Sequence, residues 1–277
     1  MNTADGYRDW IGKHEEAPTD QITPRLIASL QATLDGHLSD GQAVPPGMHW
    51  CLAPPTVSGL ALGPDGHPAK GGFLPPIPLP RRMWAGGTVE FLAPLEPGDQ
   101  IKRTSIIQDI SAKTGRSGPL CFVTVAHSYA TPSGTAIREI QNIVYRKAAT
   151  QRAPLPGPVA SPKKCDITRE FAVTSVTLFR YSALTFNGHR IHYDLAYAQD
   201  TEFYPDLVIH GPLQATLLLN LATSINKKLP SHFSYRGTAP ATGAQTLLLG
   251  ANPTKNGCDL EIQTENGITS MTASAKW

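Results

Sequence analysis

HGPLQATLLLNLATSIN, residues 210–226, is the stretch on which the fold turns. Leu213, Leu217, Leu218, Leu219 and Leu221 cover much of the circumference of a helix, so the segment reads as a helix buried on most sides and not as one lying on a surface. Pro212 suits the first helical position, where its missing N–H is not needed. Gly211 and the first-turn amides are then unpaired donors at the positive end of the helix dipole. Gly211 has no side chain, so a carbonyl oxygen can approach its N–H closely. That arrangement reads either as an oxyanion hole or as a tight loop-to-helix turn with no ligand.

Around this helix the pattern is one of strands. In the second half, FAVTSVTLF (171–179) reads as a strand, followed by an irregular polar stretch and the helix. Then come TLLLGANP (246–253), CDLEIQTE (258–265) and GITSMTASAKW (267–277) as strands. The first half repeats the order. Thr23 is a candidate N-cap and Pro24 the first residue of a helix through RLIASLQATLDGHL, with Gly36 as its stop. From Gly87 onward TVEFLAPL, DQIKRTSIIQDISA, PLCFVTVAHSYA and TAIREIQNIVYR alternate with turn chemistry (EPGD, KTGRSG, TPSG) that implies antiparallel neighbours. Between helix and strands lies a Pro/Gly-rich stretch, 41–80, with Trp50, three PP pairs and the turn signals PDG and KGG. It is too long for a simple connector and reads as a covering loop or flap. A Pro-rich segment (148–165) without periodicity reads as a linker, dividing the chain into units 1–147 and 166–277. The order of elements predicts an α+β double hot dog: two units, each a long helix wrapped by a curled antiparallel sheet.

Composition narrows the classes. With 24 Lys+Arg against 22 Asp+Glu the formal charge is +2, which gives no argument for nucleic acid or a membrane surface. Charged residues are 17% against roughly 25% in average globular chains. Cys51, Cys121, Cys165 and Cys258 form no CxxC pair, so a cysteine zinc site and a secreted disulfide framework are poor fits. The polar N-terminus has no apolar signal core and no run approaches a transmembrane length, so a cytoplasmic protein is expected.

The second polar feature is FNGHRIHYD, 186–194. His189 and His192 titrate near neutrality and can move protons. Tyr181, Asn187, Arg190, Tyr193 and Asp194 crowd the same segment, which reads as a catalytic loop, a metal site or a polar turn. His189, His192 and His210 could be three nitrogen ligands, but no HExxH motif supports zinc. Nor is there a GxSxG nucleophile elbow or a phosphate loop.

FRYSALTFNGHRIHYDLAYA and LVIHGPLQATLLLNLA resemble the C-terminal half of the MaoC-like group that includes mesaconyl-C4-CoA hydratase and mitochondrial-type 3-hydroxyacyl-thioester dehydratase. RRMWAGGTVEFLAPLEPGD resembles the dehydratase-type first half of the same double hot-dog proteins. The wider hydratase motif resembles Y-x-x-S-G-D-x-N-P-x-H. Anchoring on its last residue makes His192 the acid/base, puts Asn187 where the motif has its catalytic Asp, and puts His189 at the motif's Asn. Gly211 then falls at the oxyanion amide. Asn187 cannot accept a proton, so the resemblance implies that it orients water while His192 does the acid/base work with His189 assisting. It further implies that Arg190, Tyr181, His210 and Trp84 contact substrate, and that Trp50 lines the acyl pocket. Arg180, Arg190 and Arg236 are candidates for the CoA phosphates. The first half shapes the substrate tunnel, no metal or cofactor is needed, and a homodimer is expected. The implied activity is hydration or dehydration of a short branched or dicarboxylic acyl-CoA thioester such as mesaconyl-C4-CoA. A thioesterase and a non-catalytic acyl-CoA binding protein are the rivals.

Overall fold

The computed structural model describes residues 5–115, 118–152, 157–159 and 164–277. Its centre is one antiparallel sheet of eleven strands. The first part of the chain supplies β1 (His14–Glu16), β2 (Asp20–Gln21), α1 (Pro24–Thr33), β3 (Arg81–Phe91), β4 (Gln100–Gly115), β5 (Gly118–Thr131) and β6 (Gly134–Arg146). The second supplies β7 (Ile167–Val173), α2 (Ser175–Leu184), α3 (Leu195–Asp200), α4 (Gly211–Asn226), β8 (His232–Gly237), β9 (Gln245–Thr254), β10 (Gly257–Gln263) and β11 (Thr269–Lys276). The strand order is β1-β4-β5-β6-β3-β8-β11-β10-β9-β7, with β2 also on β4. The order reads the same from each end: an edge strand, a three-strand meander, and the post-helical strand at the centre. β3 and β8 pair there, with Gly87 opposite Tyr235. This is the α+β double hot dog.

The helices are unequal. α4 has 16 residues, packs on β8 to β11, and is buried from Leu213 through Thr223. Its buried polar residues, Gln214, Thr216, Asn220 and Thr223, are all hydrogen-bonded. Asn220 accepts from Ser39 N–H (3.0 Å) and donates to Pro46 O (2.9 Å), both in the first half. Gln214 Oε1 accepts from Ser270 Oγ (2.6 Å), and Thr216 Oγ1 lies 3.2 Å from Tyr181 Oη. A helix inside a core must pair such groups or carry their desolvation cost. α1 has 10 residues, starts where the sequence indicates (Thr23 Oγ1 accepts from Leu26 N–H, 3.1 Å) and packs on α2.

Part of the strand expected at 171–179 is helix. The chain leaves β7 at Val173, and α2 begins two residues later. Thr174 accepts from Thr177 N–H (3.2 Å), and Thr177 Oγ1 accepts from Thr174 N–H (3.3 Å), a reciprocal cap built from two threonines. Thr and Val raise strand propensity locally, but the cap and packing on α1 decide. The KTGRSG turn falls partly, and the linker partly, outside the described residues. The 41–80 stretch is an ordered cover. It contains one-turn 3-10 segments at Met48–Cys51 and Gly59–Ala61 and an isolated Leu62–Pro68 bridge.

Asn220→Leu should lower stability by about 1–3 kcal/mol, because Ser39 N–H and Pro46 O lose their partner in a closed core. Chemical denaturation of the two proteins measures this.

Candidate active site

A cavity of about 980 Å³ opens between the halves. Its wall includes His67, Arg82 and Trp84 from the first half and Asn187, His189, His192, Gly211 and Arg236 from the second. Asn187, His189 and His192 arrive in the cavity because α2 ends at Leu184 and the chain turns through Phe186, at φ 49°. Asn187 Oδ1 then accepts from His189 N–H (3.0 Å), closing an Asx turn. A single 3-10 turn, Arg190–His192, follows. Asp194 caps α3 through Tyr197 N–H (3.0 Å).

His192 is held from behind. Its Nδ1 lies 2.7 Å from Val208 O. A carbonyl only accepts, so the Nδ1 carries hydrogen and Nε2 is the bare base. Burial pulls its pKa down to about 4, against the Val208 hydrogen bond. His192 is therefore neutral in ordinary buffers. It stacks on His210, ring centroids 3.6 Å apart and 17° from parallel, a contact that two cations would not tolerate. His210 is itself held well below its usual pKa by burial and then by His192. Four imidazoles stand in a row. His67 to His189 is 4.1 Å, His189 to His192 is 5.4 Å, and His210 closes the series.

Gly211 is the first residue of α4. His210, the N-cap, gives no side-chain cap, so the first-turn amides keep their donor capacity. A Cβ on Gly211 would lie 2.7 Å from Trp84 Cε3. Trp84 reaches that position through a β-bulge between Trp84 and Gly86, and stacks on Tyr235 at 4.3 Å. Glycine is thus required by packing as well as by approach to the amide.

His192, Asn187, His189, Gly211 and Trp84 share the cavity wall, as does Arg236. Three residues expected at the substrate stand elsewhere. Tyr181 is buried behind the site on Thr216, and His210 is buried behind His192 with Nε2 2.8 Å from Ser182 Oγ. Both are supports, since neither reaches the cavity surface. Arg190 is committed to Asp194 (3.0 and 2.7 Å) and to Pro64 O (3.1 Å), so its guanidinium clamps the two loops and lies off the cavity wall. Arg180 donates to Ala32 O at the end of α1, and the half-buried Trp50 donates to Glu139 (2.7 Å), neither of them on the cavity wall.

The three-histidine metal set is not assembled either. Stacked rings cannot aim two lone pairs at one ion, and His192 Nδ1 is already used. A different trio, Asp65, His67 and His189, brings ligating atoms within 4.8 Å. Arg82 Nη2 stands 3.6 Å from Asp65 Oδ2, a fixed positive charge where a cation would sit. Asp65 was legible only as part of a turn signal, PDG, and His67 only as the residue after it. Nothing local shows that this turn lands on a loop more than a hundred residues away.

The class is now defined. Residues 47–243 match the family model for hydroxyacyl-thioester dehydratase type 2, and the chain belongs to that family of acyl-thioester dehydratases. It is 42% identical to mesaconyl-C(4)-CoA hydratase of Chloroflexus aurantiacus, across 100% of this chain and 99% of that protein. It is 27% identical to the mitochondrial hydroxyacyl-thioester dehydratase type 2 of Schizosaccharomyces pombe, over 86% and 90% of the two chains. The crystal structure of HtdX from Mycobacterium tuberculosis shares the fold, with TM-score 0.68, 19% identity and coverage of 94% and 98%.

Gly211→Val should push Trp84 off Tyr235 and close the approach to the amide. We expect kcat to fall about 10²-fold or more, as when one oxyanion donor is lost, and tryptophan fluorescence to report the displaced ring.

Proposed function

We propose that this protein adds water to, or removes it from, an α,β-unsaturated acyl-CoA thioester, and that the acyl group is short and branched or dicarboxylic, as in mesaconyl-C4-CoA. The observation that carries the reading is a neutral imidazole with its Nδ1–H fixed on Val208 O and its Nε2 bare, in one cavity with an uncapped helix start at Gly211. The full-length likeness to the Chloroflexus hydratase supports the choice of acyl group.

The chemistry follows from these groups. Attack at Cβ needs a base for water: Nε2 of His192 takes the proton. Asn187 has Oδ1 engaged with His189 N–H, so its amide Nδ2 is left to donate to the water oxygen and orient it. The C=C electron pair moves to the thioester oxygen, where the Gly211 N–H and the dipole of α4 stabilise the developing charge. Dehydration runs back over the same groups. No resident cofactor enters these steps, and CoA comes as part of the substrate. In this reading the second half, 166–277, carries the acid–base groups. The first half, 1–147, shapes the tunnel with Trp84 and Arg82. Among the described residues no helix is long and apolar enough to cross a membrane, and a cytoplasmic enzyme fits a CoA-linked substrate.

His192→Ala should reduce hydration of mesaconyl-CoA about 10²–10⁴-fold without changing the melting temperature greatly. In the wild type the rate should fall on the acid side as pH drops through about 4, because protonation removes the base. Loss of enoyl-thioester absorbance follows the reaction. Release of free thiol in its place would mean a thioesterase. A full rate in the His192 variant would overturn the assignment.

Exposed Val176 and Phe179 on α2, with Phe186 beside them in sequence, suit the homodimer. Sedimentation equilibrium should give twice the mass of the 29.8 kDa chain.

A further inference from the structure

The turn at residues 64–67, PDGH, belongs to the covering stretch of the first half yet is built onto the catalytic loop of the second. Arg190 N–H donates to Asp65 O (2.9 Å), and the Arg190 guanidinium reaches Pro64 O (3.1 Å). Gly66 has φ 85°, and a Cβ there would overlap the carbonyl of Gly188. A Cβ on Gly188 would in turn stand 2.8 Å from Gly66 O. Two glycines thus let the backbones touch. The contact delivers His67 to the cavity wall, ring to ring with His189 at 4.1 Å. His67 has its own carboxylate: Asp65 Oδ2 lies 3.1 Å from Nδ1, and Asp65 Oδ1 accepts from His67 N–H (3.1 Å). Asp65 remains ionised. Burial opposes this, but the hydrogen bond and charge of His67, with Arg82, hold its carboxyl below the usual range.

This arrangement answers a shortage in the catalytic loop. Hydration takes a proton from water and gives one to Cα. His192 can serve the first, but its partner is a neutral carbonyl and its neighbour a stacked imidazole, so nothing near it balances a positive charge. Asn187 exchanges no proton. His67 is the imidazole of the row with an anion on its far nitrogen.

Resting on the hydratase reading, we propose that His67, held by Asp65, is a second catalytic acid–base residue, contributed by the covering turn of the first half, and that it exchanges the proton at Cα. In hydration the C–O bond forms at Cβ as the water proton passes to Nε2 of His192, and the C=C pair moves to the thioester oxygen. The enolate pair then returns to form the Cα–H bond with the Nε2 proton of protonated His67. This leaves His67 neutral with Nδ1–H on Asp65. The proton left on His192 returns to His67 between turnovers by way of His189, which stands between them, or of solvent. The groups facing His67 set its titration: Asp65 from its own turn, Arg82 from β3, and His189 and His192 from the catalytic loop. Burial lowers its proton affinity first, Asp65 opposes that, and Arg82 adds to it. The hydration rate therefore falls on the alkaline side as His67 loses its proton.

The test uses the full chain with mesaconyl-CoA and crotonyl-CoA. His67→Gln should lower kcat about 10²–10⁴-fold with KM changed little and melting temperature kept. In His67→Gly, added imidazole should restore part of the rate. Asp65→Asn removes the balancing charge, so the alkaline limb of kcat should move to lower pH. A His67→Gln enzyme with wild-type kcat would overturn the proposal. So would a rate loss with no imidazole rescue together with an unmoved limb in Asp65→Asn. Absence of turnover by the wild type on both substrates would instead overturn the hydratase reading beneath it.

Discussion

The burial of α4 from Leu213 through Thr223 is the constraint from which the rest of the structure follows. Its apolar side chains, Leu213, Leu217, Leu218, Leu219 and Leu221, are each at most 1% exposed. Burying such side chains contributes about 1.5–3 kcal/mol apiece, the largest favourable contribution available to this core. A helix buried around its circumference over three turns forces the sheet to curl around it. It also forces every polar group on the helix to find a partner. Asn220 and Thr216 do so on the covering stretch and α2, which ties the first half and the helix that leads into the 186–194 loop to the same axis. The unmatched donors are then confined to the helix start, Gly211, and the cavity opens at that point.

A second constraint is charge in a buried place. Four imidazoles in a row could not all be protonated without partners; burial keeps His189, His192 and His210 neutral, and only His67 has a carboxylate beside it to support a charge. Neutrality allows His192 to stack on His210 and leaves Nε2 of His192 a base. The halves are joined by a comparable device. Glu139 on β6 is 1% exposed and receives hydrogen bonds from Trp50 (2.7 Å), Tyr235 (3.0 Å), Gln141 (3.0 Å) and Tyr129 (3.3 Å). Burial raises its pKa, and these four donors oppose the rise. Tyr235 belongs to the second half and carries Trp84 on its face, so the joint reaches the wall of the active site.

Much of this was legible in the sequence wherever the cause was local. Thr23-Pro24 marked the start of α1, the apolar circumference of 213–221 marked a buried helix, and short turns marked antiparallel neighbours. His192, Asn187, His189 and Gly211, which the structure brings to one cavity wall, drew attention in the sequence because polar residues between apolar segments stand out. The failures share a cause as well. The threonine cap at Thr174 looks like strand composition until its bonds are seen. Tyr181, His210 and Arg190 were expected at the substrate, but their side chains are spent on Thr216, Ser182 and, besides the near neighbour Asp194, Pro64; the distant partners leave no mark in the local sequence.

The sequence by itself determined the class of fold and marked 186–194 as the polar loop to examine. Periodicity, capping and turn chemistry act over a few residues and survive in one dimension. Only the tertiary structure decided which half owns the active site's wall. The turn that carries Asp65 and His67 is joined to the catalytic loop by a contact between Gly66 and Gly188, 122 positions apart. Glycine contributes no side chain to such a contact, so the sequence holds no pattern to announce it. The folded backbone alone brings the second imidazole and its carboxylate to the first.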